Sequence, residues 1–442
     1  MNLLELANIS DGELHGESID VDRFSIDTRT LKSKEVYIAL EGKNFDGHTF
    51  IPEAIKKGAS AIILNKSVDC GIPYIIVKDS YIFMNKIAAH NRKLFDGKVI
   101  GVTGTNGKTT TKQIIANLLN TQGSCHQTIG NKNNQIGVPY SLLTLGRDHH
   151  FSVIEMGTSE PGEIEKLNSI VKPDIAAITN VSMGHLDGLR DAESIAEEKG
   201  NILNFFKDDG IAILPRDSNF FGYWSKQTNA KQIISFGIHD DSDFKVSNIE
   251  IDILNNLTHF CLRFDGKDEE FSINGIGQHN ALNAALSIAV GLLCGVGIDS
   301  ITNNLIYTEL PERRLNVFKS LKNSILIDDS YNSNPASLKN AIDSMNGLKR
   351  KKICIFGAMK ELGKNSKKLH QEMYEYANDR VDEILCIGEE WSECNSSENL
   401  AIFKNHDDLY DYLVSIIEEE TILLVKGSRS TRMDKIADKL KK

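Results

Sequence analysis

The sequence predicts an α/β protein of three domains, covering residues 1–82, 83–310 and 311–442. Its 442 residues are about three times the usual domain size. Short apolar runs alternate with helical stretches through much of the chain, which is typical of mainly parallel sheets covered by helices. A glycine-rich turn near residue 104 joins a strand to a helix. The prediction is therefore a small N-terminal α/β domain, a central domain with a mainly parallel sheet, and a C-terminal Rossmann-like domain.

The N-terminal domain is predicted from short apolar strands around one helix. Strands are expected over 36–40, 61–64 and 74–77, and a helix over 52–57. A polar helix over 82–95 would connect this unit to the next one.

Within the central domain, the alternating strands and helices are predicted to begin at the glycine-rich turn. Strands are expected over 151–155, 174–180 and 210–214, with helices between them. From about 244 to 273 the pattern changes to closely spaced alternating runs, which predicts antiparallel hairpins added to the sheet.

The C-terminal domain repeats the alternation of strands and helices. Its strands are expected over 324–328, 352–356, 383–387 and 421–425. The series contains no GxGxxG motif, so dinucleotide binding has little support.

Composition excludes several classes of protein. The net charge of -11 argues against a general nucleic-acid binder, which would concentrate lysine and arginine. Seven scattered cysteines without a CxxC pair favour a reducing cytoplasm, and the N-terminus lacks the pattern of a secretory signal. The apolar stretch 281–298 is near the length of a membrane span, but it contains Asn283, Ser287 and glycines. A buried core helix ending near Gly295 is the prediction, so the protein is not expected to be embedded in a membrane.

The glycine-rich turn predicts a phosphate-binding loop. Glycines bring backbone N–H groups against phosphate oxygens, and the following helix N-terminus adds partial positive charge. Lys108 would reach the β and γ phosphates, and the hydroxyl of Thr109 would bind Mg²⁺. The match to GxxxxGK[ST] is imperfect because Val102 replaces the first glycine, so a chance GKT in a turn is the alternative. The predicted cradle consists of Gly104, Thr105, Asn106, Gly107, Lys108, Thr109 and Thr110.

Residues after the central strands could complete a metal site. Glu155 is expected at the carboxyl end of a strand, His185 follows another strand, and Lys199 lies in a predicted helix. The alternatives are a loop histidine and a solvated helix lysine.

Two polar clusters follow strands of the C-terminal domain. Residues 328–335 follow one strand and 426–429 follow the last one, with Arg314 upstream. Asp, Ser, Asn and Gly are also the residues expected in turns and helix caps, so a shared site and simple turn chemistry both remain open.

The order of these motifs resembles the Mur ligases, ATP-dependent amide-forming enzymes of peptidoglycan assembly. The resemblance covers nearly the whole chain. It rests on these segments: 25–29 (SIDTR), 42–48 (GKNFDGH), 103–109 (TGTNGKT), 133–139 (NNQIGVP), 155–157 (EMG), 161–164 (PGEI), 185–186 (HL), 199–200 (KG), 277–280 (GQHN), 328–332 (DDSYN) and 426–429 (KGSR).

The resemblance implies a central ATPase domain and a role for each matching residue. Lys199 would carry a carbamate, which turns a cation into an oxygen ligand for the second of two Mg²⁺ ions. The implied catalytic residues are Lys108, His185 and Lys199. The implied metal ligands are Thr109, Glu155, His185 and Lys199. Besides the cradle, the implied ATP contacts are Asn280, Asn283, Arg314 and Asp329. The implied substrate contacts are Asp27, Thr28, Arg29, Asn44, His48, Asn133, Asn134, Asn332, Lys426, Ser428 and Arg429.

Within the family, the pattern implies a monomeric enzyme that joins D-alanyl-D-alanine to UDP-N-acetylmuramoyl-tripeptide through an acyl phosphate. A related ligase for another acid and amine, such as a tailoring or folylpolyglutamate-like enzyme, is the first alternative. An ATP-dependent regulatory protein is the second; the chain lacks the NKxD motif of a GTPase switch. Two departures from the family pattern, Thr158-Ser159-Glu160 in place of an Asn-His-like pair and Ala358 in place of Asp, concern the acceptor and not the phosphate or metal groups.

Overall fold

The structure is a computed structural model that describes residues 1–42, 44–68, 70–182, 191–207, 209–394 and 398–442. It confirms the α/β class, with three larger sheets that are mainly parallel and a two-stranded hairpin. The exact domain boundaries stay predictions.

The N-terminal sheet has five strands. Its neighbours are parallel except for the first pair, which is antiparallel. In spatial order the strands are Glu13–His15, Tyr74–Ile76, Ala61–Leu64, Val36–Ile38 and Phe24–Ser25. The separate hairpin pairs Glu41–Gly42 with Phe45–Asp46. The helices here are Leu3–Ser10, Ile51–Lys56 and Ser80–Leu94.

The central sheet has nine strands, of which the last three in the chain form the predicted hairpins. The second hairpin turns at Asp265 and Gly266, which both have positive φ (47° and 73°), as a tight two-residue turn requires. In spatial order the strands are Lys267–Asn274, Leu257–Phe264, Phe244–Asp252, Gln232–Gly237, Ile211–Pro215, Ile175–Ile178, Lys98–Thr103, Phe151–Glu155 and Cys125–Gln127.

The helices of the central domain cover both faces of this sheet. They are Lys108–Leu119, Gly137–Leu143, Glu163–Val171, Ala192–Gly200, Phe221–Gln227, Gln278–Leu293 and Ile298–Leu305. The apolar stretch that approached membrane-span length forms the buried helix Gln278–Leu293, which packs against Lys108–Leu119 in the core. Every helix among the described residues is too short or too polar to span a bilayer.

The C-terminal sheet has six strands, of which only the first is antiparallel to its neighbour. In spatial order they are Asn316–Lys319, Ile325–Asp329, Ile422–Lys426, Lys352–Gly357, Glu383–Ile387 and Leu400–Phe403. The α-helices are Pro335–Asp343, Ser366–Asn378, Glu389–Ser392, His406–Ile416 and Asp434–Leu440. Across the three domains, the short 3₁₀ helices are Gly47–Phe50, Asn201–Leu203, Leu321–Asn323, Gly363–Asn365 and Arg429–Thr431.

Candidate active site

A cavity of about 590 Å³ lies between the central and C-terminal sheets. One wall is the glycine-rich loop with Lys108 and Thr109, and the other includes Arg314, Asp329 and Tyr331. Its volume is within the range of small-molecule sites. The phosphate loop and Glu155 of the central sheet, and Asp329 and Lys426 of the C-terminal sheet, lie at the carboxyl ends of parallel strands, where open α/β sheets bind ligands.

The loop has the backbone of a phosphate cradle. It connects the strand Lys98–Thr103 to the helix Lys108–Leu119, as predicted. Gly104 has φ +148°, and a Cβ there would lie 1.9 Å from the hydroxyl oxygen of Thr179. Gly107 has φ +80°, and a Cβ there would lie 2.5 Å from the Asn283 side-chain oxygen. Any larger residue at these two positions would therefore displace the loop.

Lys108 folds back over this loop. Its Nζ donates hydrogen bonds to the carbonyl oxygens of Gly104 (2.8 Å) and Thr105 (3.0 Å). Among the described residues, no carboxylate lies within ion-pair distance of this ammonium group. Burial lowers the pKa of Lys108, while the negative charge of Glu155 opposes that shift. The loop thus presents a cation whose charge is not neutralised by a salt bridge.

Glu155 ends the strand Phe151–Glu155 and is only 1% exposed. Its Oε1 accepts hydrogen bonds from the Thr109 hydroxyl (3.1 Å) and the Asn133 amide (2.7 Å). Its Oε2 is buried and has no hydrogen-bond partner among the described residues. A buried carboxylate oxygen without a donor is costly, and a hard cation such as Mg²⁺ would satisfy it.

Lys199 is buried rather than solvated. Its side chain, on the helix Ala192–Gly200, is 2% exposed. No hydrogen bond or ion pair of its Nζ is present among the described residues. Burial, and next the positive charge of Lys108, hold the pKa of Lys199 well below its ordinary value. The indole of Trp224 anchors this helix by donating to the carbonyl oxygen of Ala196 (2.9 Å). His185 lies outside the described residues.

The C-terminal wall carries a different set of charges. Arg314 donates from Nη2 to the hydroxyl of Thr109 (3.3 Å) and stacks over the ring of Tyr331 at 4.4 Å. Lys426 pairs with Asp329, its register neighbour on the adjacent strand, at 2.5 Å. Burial raises the pKa of Asp329, and the Lys426 ammonium opposes part of that shift.

Side chains from the two walls also bond directly. The Asn334 amide donates to Asn106 Oδ1 (2.9 Å), and the Asn106 amide donates to Asn334 Oδ1 (3.5 Å). The Asn131 amide donates to the hydroxyl of Tyr331 (3.2 Å). Long-range polar contacts therefore join the two walls of the cavity.

Most of the predicted nucleotide and metal residues line this cavity. They are Thr105, Asn106, Gly107, Lys108, Thr109, Thr110, Glu155, Asn280, Asn283, Arg314 and Asp329. The predicted substrate contacts Asn133, Asn134, Asn332 and Lys426 line the cavity as well, whereas Gly104 and Lys199 are not among its lining residues. Ser428 lies beside it, where its hydroxyl bonds the Lys360 amide N–H (2.8 Å), and Arg429 is exposed and pairs with Asp434.

The predicted sugar-nucleotide residues of the N-terminal domain lie apart from this cavity. Asp27 and Arg29 pair with each other at 2.7 Å, and the hydrogen bond from Arg29 lowers the pKa of Asp27. Thr28 is buried, whereas Asn44 is exposed. These residues are therefore not among those that line the cavity with the phosphate loop.

His48 belongs to a small polar cluster with Glu41 and Asp46, whose ligand atoms lie within 4.8 Å of one another. Lys66 occupies this cluster, with salt bridges to Asp46 (2.9 Å) and Glu41 (3.3 Å). Its hydrogen bond holds the pKa of Asp46 below the ordinary range. The Lys66 ammonium group therefore already pairs with the two carboxylates of this cluster.

Several cavity residues were not among the predicted contacts. Tyr331 and His279 stood within motifs but were not assigned, and Asn334 stood in the cluster 328–335, for which a shared site and turn chemistry were both left open. Burial, and next the charge of Lys426, lower the pKa of His279 to about 4, so the ring is neutral at physiological pH. Asn131 and Asn180 also line the cavity, and each follows a strand of the central sheet. Their place after the carboxyl end of a strand is the signal that could have identified them as site residues.

Three family models match the chain. "Mur ligase family, catalytic domain" matches residues 20–116, "Mur ligase middle domain" matches 102–291, and "Mur ligase, glutamate ligase domain" matches 313–429.

Relatives of similar length are also found. The chain is 35% identical to a UDP-N-acetylmuramoyl-tripeptide–D-alanyl-D-alanine ligase of Buchnera aphidicola, over 100% of this chain and 98% of the relative. It is similar to a crystal structure of MurF from Acinetobacter baumannii, with 28% identity, a TM-score of 0.91, and coverage of 99% and 98% of the two chains. It is also similar to the MurF ligase of Thermotoga maritima in complex with ADP, with 28% identity, a TM-score of 0.85, and coverage of 95% and 97%.

Proposed function

The chain belongs to the Mur ligase family, and we propose that it is an ATP-dependent ligase that adds D-alanyl-D-alanine to UDP-N-acetylmuramoyl-tripeptide in peptidoglycan biosynthesis. The relatives that carry this activity in their names match the chain from end to end. The cytoplasmic location and the monomeric state stay predictions from the sequence.

One observation carries the proposal. The phosphate loop with Lys108 faces Arg314 and Asp329 across a single cavity. Such a cavity can hold ATP with its phosphates on the loop and its nucleoside toward the C-terminal wall. The ADP complex of the Thermotoga maritima relative supports this assignment.

Magnesium fits the residues present. Thr109 and Glu155 would hold one ion, because the Glu155 Oε2 is buried without a donor and the Thr109 hydroxyl lies beside the carboxylate. When bound, Mg²⁺ neutralises charge on the transferring phosphoryl group. We assign a second ion to His185 and a carbamate on Lys199. The depressed pKa of Lys199 supports the carbamate, since only a neutral amine reacts with carbon dioxide.

The proposed chemistry has two steps. In the first, a terminal carboxylate oxygen of the UDP-linked peptide attacks the γ-phosphorus, and the bond to the bridging oxygen breaks to release ADP. In the second, the free amine of D-alanyl-D-alanine attacks the acyl carbon, the nitrogen loses a proton, and phosphate leaves with the C–O bonding electrons. Lys108 and Arg314 stabilise the charge that develops on the phosphoryl oxygens. Closure of the two domains over the site would exclude water, which otherwise hydrolyses the acyl phosphate.

The UDP end of the acceptor is assigned to the N-terminal domain. Asp27, Thr28, Arg29, Asn44 and His48 would contact it there, far from the reacting carboxylate. Asn133, Asn134, Asn332, Lys426, Ser428 and Arg429 would contact the portion nearer the phosphates. An extended acceptor that spans both places suits the separation of the two groups.

The decisive experiment supplies ATP, Mg²⁺, UDP-N-acetylmuramoyl-tripeptide and a panel of dipeptides, and measures ADP release together with product mass. ADP release is expected only when both acid and amine are present, with a product equal to their sum minus water. Turnover without an acceptor would indicate a regulatory ATPase instead. Ligation of a folate or another acid in place of the UDP-peptide would favour the alternative ligase, as would a product with an amine other than D-alanyl-D-alanine.

A further inference from the structure

Lys112 is a second buried lysine, one turn after Lys108 on the same helix. It is 3% exposed, and its Nζ donates hydrogen bonds to the carbonyl oxygens of Thr128 (2.8 Å) and Gly130 (3.0 Å). No carboxylate of the described ranges lies within ion-pair distance of it. A buried ammonium group bonded to main-chain carbonyls fixes the backbone that carries them, because charge-assisted hydrogen bonds are the stronger kind.

The segment that Lys112 fixes in turn holds Glu155. The Thr128 hydroxyl accepts the backbone N–H of Glu155 (2.9 Å). The Asn133 amide donates to the Glu155 carboxylate (2.7 Å), and the Asn133 carbonyl accepts the N–H of Gly157 (2.8 Å). Both the main chain and the side chain of Glu155 are therefore bonded to residues between 128 and 133.

We propose that Lys112 is a positioning residue that orients the Glu155 carboxylate for Mg²⁺, by holding the 128–133 segment against the phosphate-loop helix. The proposal rests on the proposed function, because it concerns a carboxylate assigned to magnesium beside ATP. Lys112 does not reach the cavity itself, and Lys108 remains the lysine of the phosphates. The two lysines of this helix therefore have different roles. Lys108 contacts the phosphates, and Lys112 supports the metal ligand Glu155.

The charge of Lys112 adds to its geometric role. Burial lowers its pKa, and the nearby negative charge of Glu155 acts in the opposite direction. An apolar residue of equal length would leave the Thr128 and Gly130 carbonyls without this donor, and the 128–133 segment would be free to move.

Lys112→Met is the first test, and hydrogen exchange in the nucleotide-free protein is its first measurement. Exchange of the 128–134 segment and of the Glu155 amide is expected to accelerate about 10-fold or more, since the bonds that protect them are weakened. Lys98→Met is the matched control, because the Lys98 Nζ also donates to a carbonyl of the central domain, that of Leu293 (3.3 Å), outside the cavity. Unchanged exchange in Lys112→Met would overturn the proposal.

The second measurement is calorimetric binding of ADP with and without Mg²⁺. We expect Lys112→Met to weaken ADP binding about 10-fold with Mg²⁺, as loss of support for a metal ligand does, and less than about 2-fold without it. Equal weakening in both conditions would mean that Lys112 acts on the phosphates, which contradicts the proposal. Neither measurement depends on ligation, so failure of the acceptor assay would reject the proposed activity without deciding the role of Lys112.

Two further variants protect the test against a folding defect. Thr128→Val removes the hydroxyl that bonds Glu155 but keeps the carbonyl that Lys112 uses, and should reproduce the Mg²⁺-dependent weakening. Combining Lys112→Met with Asn133→Ala should weaken Mg²⁺-dependent binding by less than the product of the single effects, because both act on one carboxylate. If the double variant weakens Mg²⁺-dependent binding by the full product of the two single effects, Lys112 and Asn133 do not act on the same carboxylate and the proposal is rejected. Normal binding of ADP by Thr128→Val would reject it as well.

Discussion

The two walls of the cavity hold their lysines in opposite ways. On the central wall, the bonds of Lys108 to the described part of the chain all go to carbonyl oxygens of its own loop. On the C-terminal wall, Lys426 is paired with the buried carboxylate of Asp329 at 2.5 Å. A lysine bonded only to neutral carbonyls has no anionic partner and can pair with an anionic ligand. A lysine already paired with a carboxylate is less available to such a ligand. The difference indicates that, of these two lysines, Lys108 is the one whose charge meets the phosphates, with Arg314 facing it from the opposite wall, whereas the charge of Lys426 is already paired with Asp329.

The largest effect is expected from removing the unpaired charge. Lys108→Ala should lower the rate of ADP formation at least about 10³-fold, because the loop lysine is the main cation at the transferring group. Single-turnover measurement of ADP release with acid and amine present will check this. Ligation at the wild-type rate would contradict both the assignment of Lys108 and the contrast between the walls.

Breaking the ion pair between Lys426 and Asp329 should lower the free energy of unfolding more than it slows catalysis. Lys426→Met leaves the Asp329 carboxylate buried without its cation, which is expected to cost about 3 kcal/mol in the free energy of unfolding. Asp329→Asn in the same chain should recover most of that loss, since no uncompensated charge then remains. Urea denaturation of the single and double variants measures both values. A double variant no more stable than Lys426→Met would show that the pair is not the reason for the loss.

Lys199 sharpens the comparison within the central domain, because it is the lysine expected to exchange its positive charge for the negative charge of a carbamate. Lys199→Ala should reduce ligation about 10²-fold, as removal of a metal ligand does. A short carboxylic acid added to the variant is expected to restore part of the rate, and bicarbonate is not. Full activity of Lys199→Ala without either addition would refute the carbamate.

The smallest effect is expected from the contact that joins the walls. Asn334→Ser keeps an oxygen to cap the helix Pro335–Asp343 but loses the amide that bonds Asn106. Loss of one partly buried hydrogen bond is worth about 1 kcal/mol, so the KM for ATP should rise several-fold while the free energy of unfolding changes little. An unchanged KM in steady-state kinetics would show that the amide pair does not stabilise closure.

Local features of the fold were predictable from the sequence. The strand, loop and helix around Gly104 and Lys108 lie within a few residues of one another, so their order in the chain is their order in space. The hairpins after Phe244 were predictable for the same reason, because alternation and the Asp265-Gly266 turn are local signals.

Contacts between distant segments were not predictable in this way. Lys426 and Asp329 are 97 positions apart and meet because their strands are parallel neighbours in register. The Asn106–Asn334 bond spans 228 positions and needs the two domains to face each other. Residue type alone left the clusters 328–335 and 426–429 equally consistent with turns and with a site. The roles assigned to individual residues stay predictions.

The sequence by itself determined the α/β class, the phosphate loop and the family, because these depend on short-range patterns and on motif order. Only the tertiary structure decided which charges remain free. It left Lys108 without an ion pair among the described residues, paired Lys426 with Asp329, buried Lys199, paired Lys66 with Asp46 and Glu41, and bonded Lys112 to the segment that holds Glu155. The five lysines are chemically identical in the sequence, and their different environments follow from burial and partners that folding alone supplies.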